Sequence, residues 1–476
     1  MLRPLTVALL LAGASAHAAA NIDLMTVYQQ AVLNSADLAA AQADALARQE
    51  ALPQARSQLL PNLGVAAGAS RQDLDIDNVG GDEYSNHYYQ ASLTQPLFRA
   101  DRWFSYQAAK SVSQQAQLEF SATQQNLILE VSQAYFNVLR ASDNLATAKA
   151  EEKAFSRQLE QAQERFEVGL SARTDVLEAQ VGYDRARAAR LTAQTNLDVS
   201  YQALTRLTTQ DYDSLYGISH ELPILPPTPA SMQQWVETAA EQNLTLQASR
   251  YAIDSAEDSL RSSKAGYAPV VDAFVRYSNG GASIAGTGQA STDTELTSFG
   301  VELSMPLFTG GLTTSRVRES TYRLTQAEQS SEAQLRRVVE STRNLYRTVT
   351  SSVDEVAARR QAIVSAKAAL DATQTGYEVG TRNVVDVLEA QRNLFRTVRD
   401  YNTVRYNYII NNLSLKQAAG TLSPQDLQDL SQWLNPNYDP DRDFIPQTTE
   451  EEARQMSMGG QPQPPAMPAN GDSSTF

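Results

Sequence analysis

Two acidic side chains stand three positions apart in the segment Tyr377–Gln391, which reads Y-E-V-G-T-R-N-V-V-D-V-L-E-A-Q. They are Asp386 and Glu389, and residues with this spacing lie on one face of a helix. Two neighbouring carboxylates attract cations by simple electrostatics. A structural role competes with this one, because Asn383 is a good N-cap and an acid in the first turn stabilises a helix.

Few residues remain for other chemistry. The chain has no Cys and three His, of which His17 lies in the first twenty residues while His87 and His220 stand in unrelated contexts. Acid–base catalysis and metal binding depend heavily on these residue types. No Ser, His and Asp arrangement suggests an exported hydrolase. The net charge of −15 disfavours nucleic acid, because phosphates need clustered Lys and Arg. We expect no enzyme, no cofactor, no metal and no nucleic-acid partner.

The acidic segment occurs twice in the chain. Phe166–Gln180 reads F-E-V-G-L-S-A-R-T-D-V-L-E-A-Q and precedes the second copy by 211 positions. Leu59–Pro61 likewise matches Tyr267–Pro269, so the duplication extends over most of the sequence. A period this long indicates two copies of a structural half, because solenoid repeats are only 20 to 50 residues long.

Each half is expected to contain a helix, two strands, a very long helix and a shorter helix. The segment from Arg99 to about Glu167 has no Gly or Pro. Its positions 127 to 166 form a seam spaced by four and three residues, which predicts coiled-coil packing. Shorter helices are expected at about 174–208 and 383–419, and first helices at 22–58 and 231–265. The strands are expected at about 62–74, 89–97, 270–279 and 298–307, joined by long loops within 73–86 and 278–294.

The termini and the middle of the chain complete the predicted domain organisation. Residues 1–20 combine one Arg, a short apolar run and small residues, which is typical of a cleaved secretory signal. Residues rich in Pro and acids after about 435 indicate disorder. The predicted divisions are a signal peptide 1–20, a first repeat 21–208, an equatorial linker 209–230, a second repeat 231–420, an equatorial C-terminal segment 421–440 and a disordered tail 441–476.

The duplicated motif, the Q-P-L-F and M-P-L-F corners before residues 99 and 309, and Tyr406–Ile409 together resemble the outer-membrane efflux protein (TolC) family. The resemblance covers residues 22 to about 435. It implies an α+β membrane protein: a homotrimer whose chains give four strands each to a twelve-stranded outer-membrane β-barrel, continued by a periplasmic coiled-coil tunnel. Strands of about ten residues have the length that such a barrel requires. No acylated Cys is present, so the chain resembles the branch without a lipid anchor.

The resemblance also implies a function and partners. Members are exit ducts for tripartite efflux pumps or type I protein secretion in Gram-negative bacteria, and their helix tips open like an iris. The expected partners are outer-membrane lipid, a periplasmic adaptor (membrane fusion) protein, and an inner-membrane pump or ABC transporter. A periplasmic coiled-coil scaffold or adaptor is the alternative prediction.

The resemblance assigns roles to residues in both copies. Asp386 and Glu389 would form acidic rings at the pore aperture. Equivalents of Tyr377 and Arg382 hydrogen-bond to the positions of Thr174 and Asp175 and hold the tips closed. Two further sets follow from the residue types: Gly169 and Gly380 as tip turns with positive φ, and four prolines at strand–helix junctions, Pro61, Pro96, Pro269 and Pro306.

Overall fold

The computed structural model describes residues 22–76, 80–285, 292–446 and 452–453. The predicted signal peptide lies outside the described residues, as do residues 447–451 and 454–476 of the predicted disordered tail. The start of that tail differs from the prediction. Residues Pro440–Asp443 form a short helix whose N-cap is Asp439, and Ala453 is fully buried.

The two predicted long helices are present with nearly the predicted ends. They span 68 and 67 residues and are free of proline and, but for Gly376, of glycine. The seam predicted in the first of them is largely buried, with Val131, Val138 and Phe155 at most 1 % exposed. The helices are α1 Leu24–Asn34, α2 Ala36–Gln49, α3 Ala51–Ser57, α4 Ala100–Glu167, α5 Arg173–Thr208, α6 Met232–Gln242, α7 Leu244–Lys264, α8 Leu312–Glu378, α9 Val384–Ala418, α10 Pro424–Ser431 and α11 Pro440–Asp443.

The first helix of each copy is interrupted, which the sequence did not predict. The breaks at Ser35 and Asn243 occupy equivalent positions in the duplication. The Asn243 side chain accepts the Leu246 N–H at 3.0 Å and so begins a new helix as an N-cap. A further break precedes α3, where Pro53 has no N–H for the carbonyl four residues earlier.

The four predicted strands form one antiparallel sheet in the order β1-β2-β4-β5. Their register runs from Asn62↔Thr94 through Gln90↔Ser278 to Val270↔Ser304. The strands are β1 Asn62–Ile76, β2 Gly80–Phe98, β4 Val270–Ala285 and β5 Thr292–Ser304, and a separate pair joins β3 Gly217–Ile218 to β6 Leu434–Asn435.

The predicted long loops are wrong. Backbone pairing continues to Ile76↔Gly80 and to Ala282↔Thr292, so most of residues 73–86 and 278–294 belong to strands. Their Gly, Ser and Thr content suggested loops, but pairing of backbone groups does not depend on apolar side chains. Residues 77–79 and 286–291 lie outside the description.

Three of the four prolines that were expected at strand–helix junctions stand beside the end of a strand. Pro61 and Pro269 immediately precede β1 and β4, and Pro306 follows β5. Pro96 instead lies inside β2, opposite Asp272, next to a register shift between Pro96 and Phe98. A bulge is one of the few strand sites that tolerate a residue without an N–H.

The chain divides into two compact units, one of Met1–Ser35, Gln125–Trp235 and Thr342–Phe476 and one of Ala36–Gln124 and Val236–Ser341. The first contains the helix tips and the β3–β6 pair, and the second contains the four-stranded sheet. No described helix is both long enough and apolar enough to cross a membrane.

Candidate functional site at the helix tips

The two tip turns have the same backbone geometry. Gly169 has a φ of 76° and Gly380 a φ of 79°, as predicted for positions that only glycine adopts without strain. At the first tip the Leu170 N–H donates to the Arg165 carbonyl at 2.8 Å, and the Gly169 N–H to the Phe166 carbonyl at 3.0 Å. The second tip repeats both bonds. This pattern is a Schellman motif, which ends a helix by satisfying its last carbonyls.

The helices that follow the turns begin differently in the two copies. Asn383 and Asp386 form a reciprocal capping box: the Asn383 side chain accepts the Asp386 N–H at 2.9 Å, and the Asp386 carboxylate accepts the Asn383 N–H at 3.2 Å. In the first copy the Asp175 carboxylate accepts the Ala172 N–H at 3.3 Å, but the methyl side chain of Ala172 cannot accept the Asp175 N–H in return. Asp386 therefore caps its helix, which is the structural role that was expected as the alternative to a role at the aperture.

The capping bonds leave part of the acidic charge in contact with water. Asp386 is half-buried, whereas Glu389 is exposed and makes no hydrogen bond or ion pair within the described residues. Glu178, the counterpart of Glu389, is likewise exposed. Glu389 is thus available to face a lumen, and Asp386 adds a second charge on the same helix face.

The structure does not bring the four predicted gate residues together within one chain. Among the described residues, no hydrogen bond joins Tyr377 or Arg382 to Thr174 or Asp175. The Tyr377 ring instead lies under the Arg165 guanidinium, 4.7 Å from its centroid, which is a cation–π contact. A gate of these four residues stays a prediction, and it requires contacts between copies of the chain.

Apolar side chains from all four tip helices meet just above the turns. Buried Phe155, Ala186, Val384 and Leu388 form the cluster, and Tyr183 and Tyr377 pack against it. Gly182 makes this approach possible, because a Cβ at that position would lie 2.6 Å from Phe155 Cδ1. The tips therefore pack through shape and apolar contact.

A buried polar cluster farther from the tips was missed from the sequence. Asp143 of α4 is fully buried and accepts the hydroxyls of Tyr406 at 2.8 Å and Tyr438 at 2.7 Å. Burial raises the pKa of the Asp143 carboxyl to about 6, while both tyrosines and the charge of Arg405 act in the opposite direction. Tyr406 belongs to a segment whose family resemblance was recognised but whose contacts were not predicted.

Arg405 is the second charge of this cluster and is 1 % exposed. It donates to the Ile218 and Ser219 carbonyls at 2.5 and 2.9 Å and to His220 Nδ1 at 3.0 Å. His220 Nε2 then donates to the Asp443 carbonyl at 2.7 Å. Burial, aided by Arg405, lowers the pKa of His220 to about 3, so this histidine is neutral. Among the described residues, no group of three or more His, Asp or Glu could hold a metal ion.

The family model described as outer membrane efflux protein matches residues 27–210 and 235–421, one segment in each copy of the duplication. The chain belongs to the outer membrane efflux protein family. It is 38 % identical over 416 residues to the outer membrane protein TolC of Vibrio cholerae, covering 87 % of this chain and 94 % of that one. It is 27 % identical to the alkaline protease secretion protein AprF of Pseudomonas aeruginosa, covering 78 % and 79 %.

Solved structures show the same fold. The outer membrane protein VceC of Vibrio cholerae superposes with a TM-score of 0.71 at 19 % identity, covering 83 % of this chain and 96 % of that one. The predicted family and the predicted α+β channel-tunnel fold are confirmed. The protein is an outer-membrane protein that extends into the periplasm and serves as an exit duct for efflux and secretion. The alternative of a periplasmic scaffold has no support among these relatives.

Proposed function

We propose that three copies of this outer membrane efflux protein assemble into one duct without catalytic activity. The sheet order supports this, because within the described chain β1 and β5 each pair on one side only. Free edges of this kind are templates for pairing with a strand of another chain. Three copies joined at these edges give a twelve-stranded barrel in outer-membrane lipid, an even number within the range of such barrels.

The duct receives its cargo from an inner-membrane pump or ABC transporter through a periplasmic adaptor protein. Both cargo classes have support, since the family is that of the outer membrane efflux proteins and one relative is a protease secretion protein. The matched tip turns at Gly169 and Gly380 give the adaptor two similar hairpins per chain to engage. Small molecules and a secreted polypeptide are therefore both proposed cargoes.

The helix tips form the gate, and they open by an iris-like movement. The observation that carries this proposal is the packing near the tips, where apolar surfaces and one cation–π pair join the helices. Separating helices that are joined in this way breaks no hydrogen bond between them within one chain. In the trimer, Tyr377 and Arg382 of one copy would bond to Thr174 and Asp175 of its neighbour and hold the iris closed.

Tyr377→Phe combined with Arg382→Glu is expected to raise the single-channel conductance in planar bilayers severalfold. The first change removes a hydroxyl donor, and the second places a carboxylate beside Asp175, so both the hydrogen bonds and the charge attraction are lost. The control is Tyr322→Phe with Arg323→Glu, the same changes at exposed positions of α8. Equal conductance of the tip variant and the wild type would show that these residues only pack the tip.

A further inference from the structure

The chain turns back over its own helices near its C-terminal end. We call residues 434–446 the C-terminal strap. It pairs with β3 through Ile218↔Leu434, and its Phe444 carbonyl accepts the Asn402 side chain of α9 at 3.1 Å. Lys149 of α4 pairs with Asp441 at 3.1 Å. The strap therefore contacts both α4 and α9.

The strap is anchored on the buried carboxylate of Asp143. Tyr438 of the strap and Tyr406 of α9 donate to the two different oxygens of this one group. Hydroxyl bonds to an ionised carboxylate are about twice as strong as neutral ones. Asp143 is thus the point at which α4, α9 and the strap are joined.

Glycine at position 217 lets Tyr438 reach this anchor. A Cβ at Gly217 would lie 2.0 Å from Cγ of the Tyr438 ring, which is the rigid base of the side chain. The aromatic ring therefore rests directly on the backbone of β3. Any larger residue at position 217 would move the strap.

The anchor lies at one level of the helical bundle. Asp143 is 24 residues before the end of α4 at Glu167, and Tyr406 is 22 residues after the start of α9 at Val384. At about 1.5 Å per residue, both lie about 35 Å from the tip turns. Ion pairs between different helices gather just below this level: Arg399–Glu151 at 2.6 Å, Arg190–Glu152 at 2.5 Å and Arg359–Asp400 at 2.9 Å.

The segments of the helices that lie closest to the tip turns are joined differently. Over residues 154–168, 173–189, 368–378 and 384–398, which the structure describes completely, the polar contact between different helices is that of Arg165 with Tyr377. The bundle thus changes from polar cross-links to apolar packing within a few turns. A moving segment would end where the cross-links begin.

We propose that the C-terminal strap, through Asp143, is a positioning element that sets the upper limit of the movable part of the tip helices. It supports the level of these ion pairs from just above, because it ties α4 to α9 through Asp143 and Asn402. Opening of the tips then bends or slides only the segments below it. The functional meaning of this inference rests on the proposed gate. The restraint of α4 and α9 by the strap can be measured whether or not the tips form a gate.

Hydrogen–deuterium exchange of the full-length protein in detergent tests the restraint. Tyr438→Phe, which keeps the ring on Gly217, should raise exchange about tenfold in peptides of α4 and α9 around Asp143 and Tyr406, because one charge-assisted hydrogen bond is lost. Gly217→Ala should raise it further by displacing the strap. Lys149→Gln removes an exposed pair of the same strap and should leave exchange within about twofold of wild type.

The outcomes of this experiment distinguish the positioning role of the strap from the proposed gate. Increased exchange confined to the strap and the helices around Asp143 supports the positioning role, whereas unchanged exchange in both Tyr438→Phe and Gly217→Ala overturns it. An equal increase across the whole bundle also overturns it, because this indicates general destabilisation. Single-channel conductance of the same variants tests the proposed gate independently. If hydrogen–deuterium exchange increases only around Asp143 while the conductance stays unchanged, the restraint by the strap is supported and the proposed gate is contradicted.

Discussion

Asp386→Asn combined with Glu389→Gln is expected to weaken block of the channel by trivalent cations roughly 100-fold. In a trimer the two changes remove six carboxylates from one aperture. A single pair of unit charges 4 Å apart contributes about 1 kcal/mol even in bulk water, so a ring of them acts strongly on a trivalent ion. Block is measured in single-channel recordings as a function of cation concentration.

The amide substitutions separate charge from helix capping. The Asp386 carboxylate accepts the Asn383 N–H, and an Asn side chain at position 386 retains a carbonyl oxygen for that bond. The matched control is Glu178→Gln, at the first-copy position equivalent to Glu389, which is likewise exposed and should keep most of the block. Persistent block in the Asp386 and Glu389 variant would contradict the aperture role.

Arg405→Met is expected to lower the free energy of unfolding by about 3–5 kcal/mol. Arg405 is the largest fully buried side chain among the described residues, and its loss leaves the Asp143 carboxylate without a nearby cation. It also leaves the Ile218 and Ser219 carbonyls without their donor. Guanidinium unfolding in detergent, followed by circular dichroism, measures the change.

Two controls identify the cause of that loss. Arg206→Met breaks the exposed pair with Glu130 and should cost less than about 1 kcal/mol. Asp143→Asn in the Arg405→Met background should recover part of the stability, because the isolated charge is gone. The buried-charge explanation would be contradicted if Arg206→Met lowered the free energy of unfolding as much as Arg405→Met does, or if the double variant recovered no stability.

The destabilisation caused by Arg405→Met should also depend on pH. Burial raises the pKa of Asp143 in the folded protein to about 6, above the value of 3.8 in an unfolded chain. Folding therefore takes up a proton between these values, and the cost of burying the ionised group is present above pH 6 and disappears as the pH falls towards 4. The destabilisation by Arg405→Met should be larger at pH 7.5 than at pH 5.

The long helices could be predicted because their signal is local and repeated. The seam that includes Val131, Val138 and Phe155 recurs over many turns, and a period this sustained permits few other structures. The breaks at Ser35 and Asn243 could not be predicted as securely, since both residues also occur inside helices. Whether they cap depends on backbone geometry that the sequence does not state.

The tip was predicted in part and the buried cluster not at all. Gly169 and Gly380 carry a local conformational requirement, so their positive φ followed from the sequence. The contact of Tyr377 with Arg165, by contrast, depends on how two chain segments pack. Asp143 is separated by more than 250 residues in sequence from its partners Tyr406 and Tyr438. Nothing in the local sequence distinguishes a buried aspartate from one on a solvated helix face.

The central claim is that this chain provides the exit duct for exported cargo. Deletion of its gene, with paired measurements of drug susceptibility and of the proteins released into the medium, tests it most directly. We predict a severalfold fall in the minimum inhibitory concentration of exported drugs, the loss of a secreted protein, or both, restored by the intact chain. Unchanged susceptibility together with an unchanged set of secreted proteins would contradict the claim.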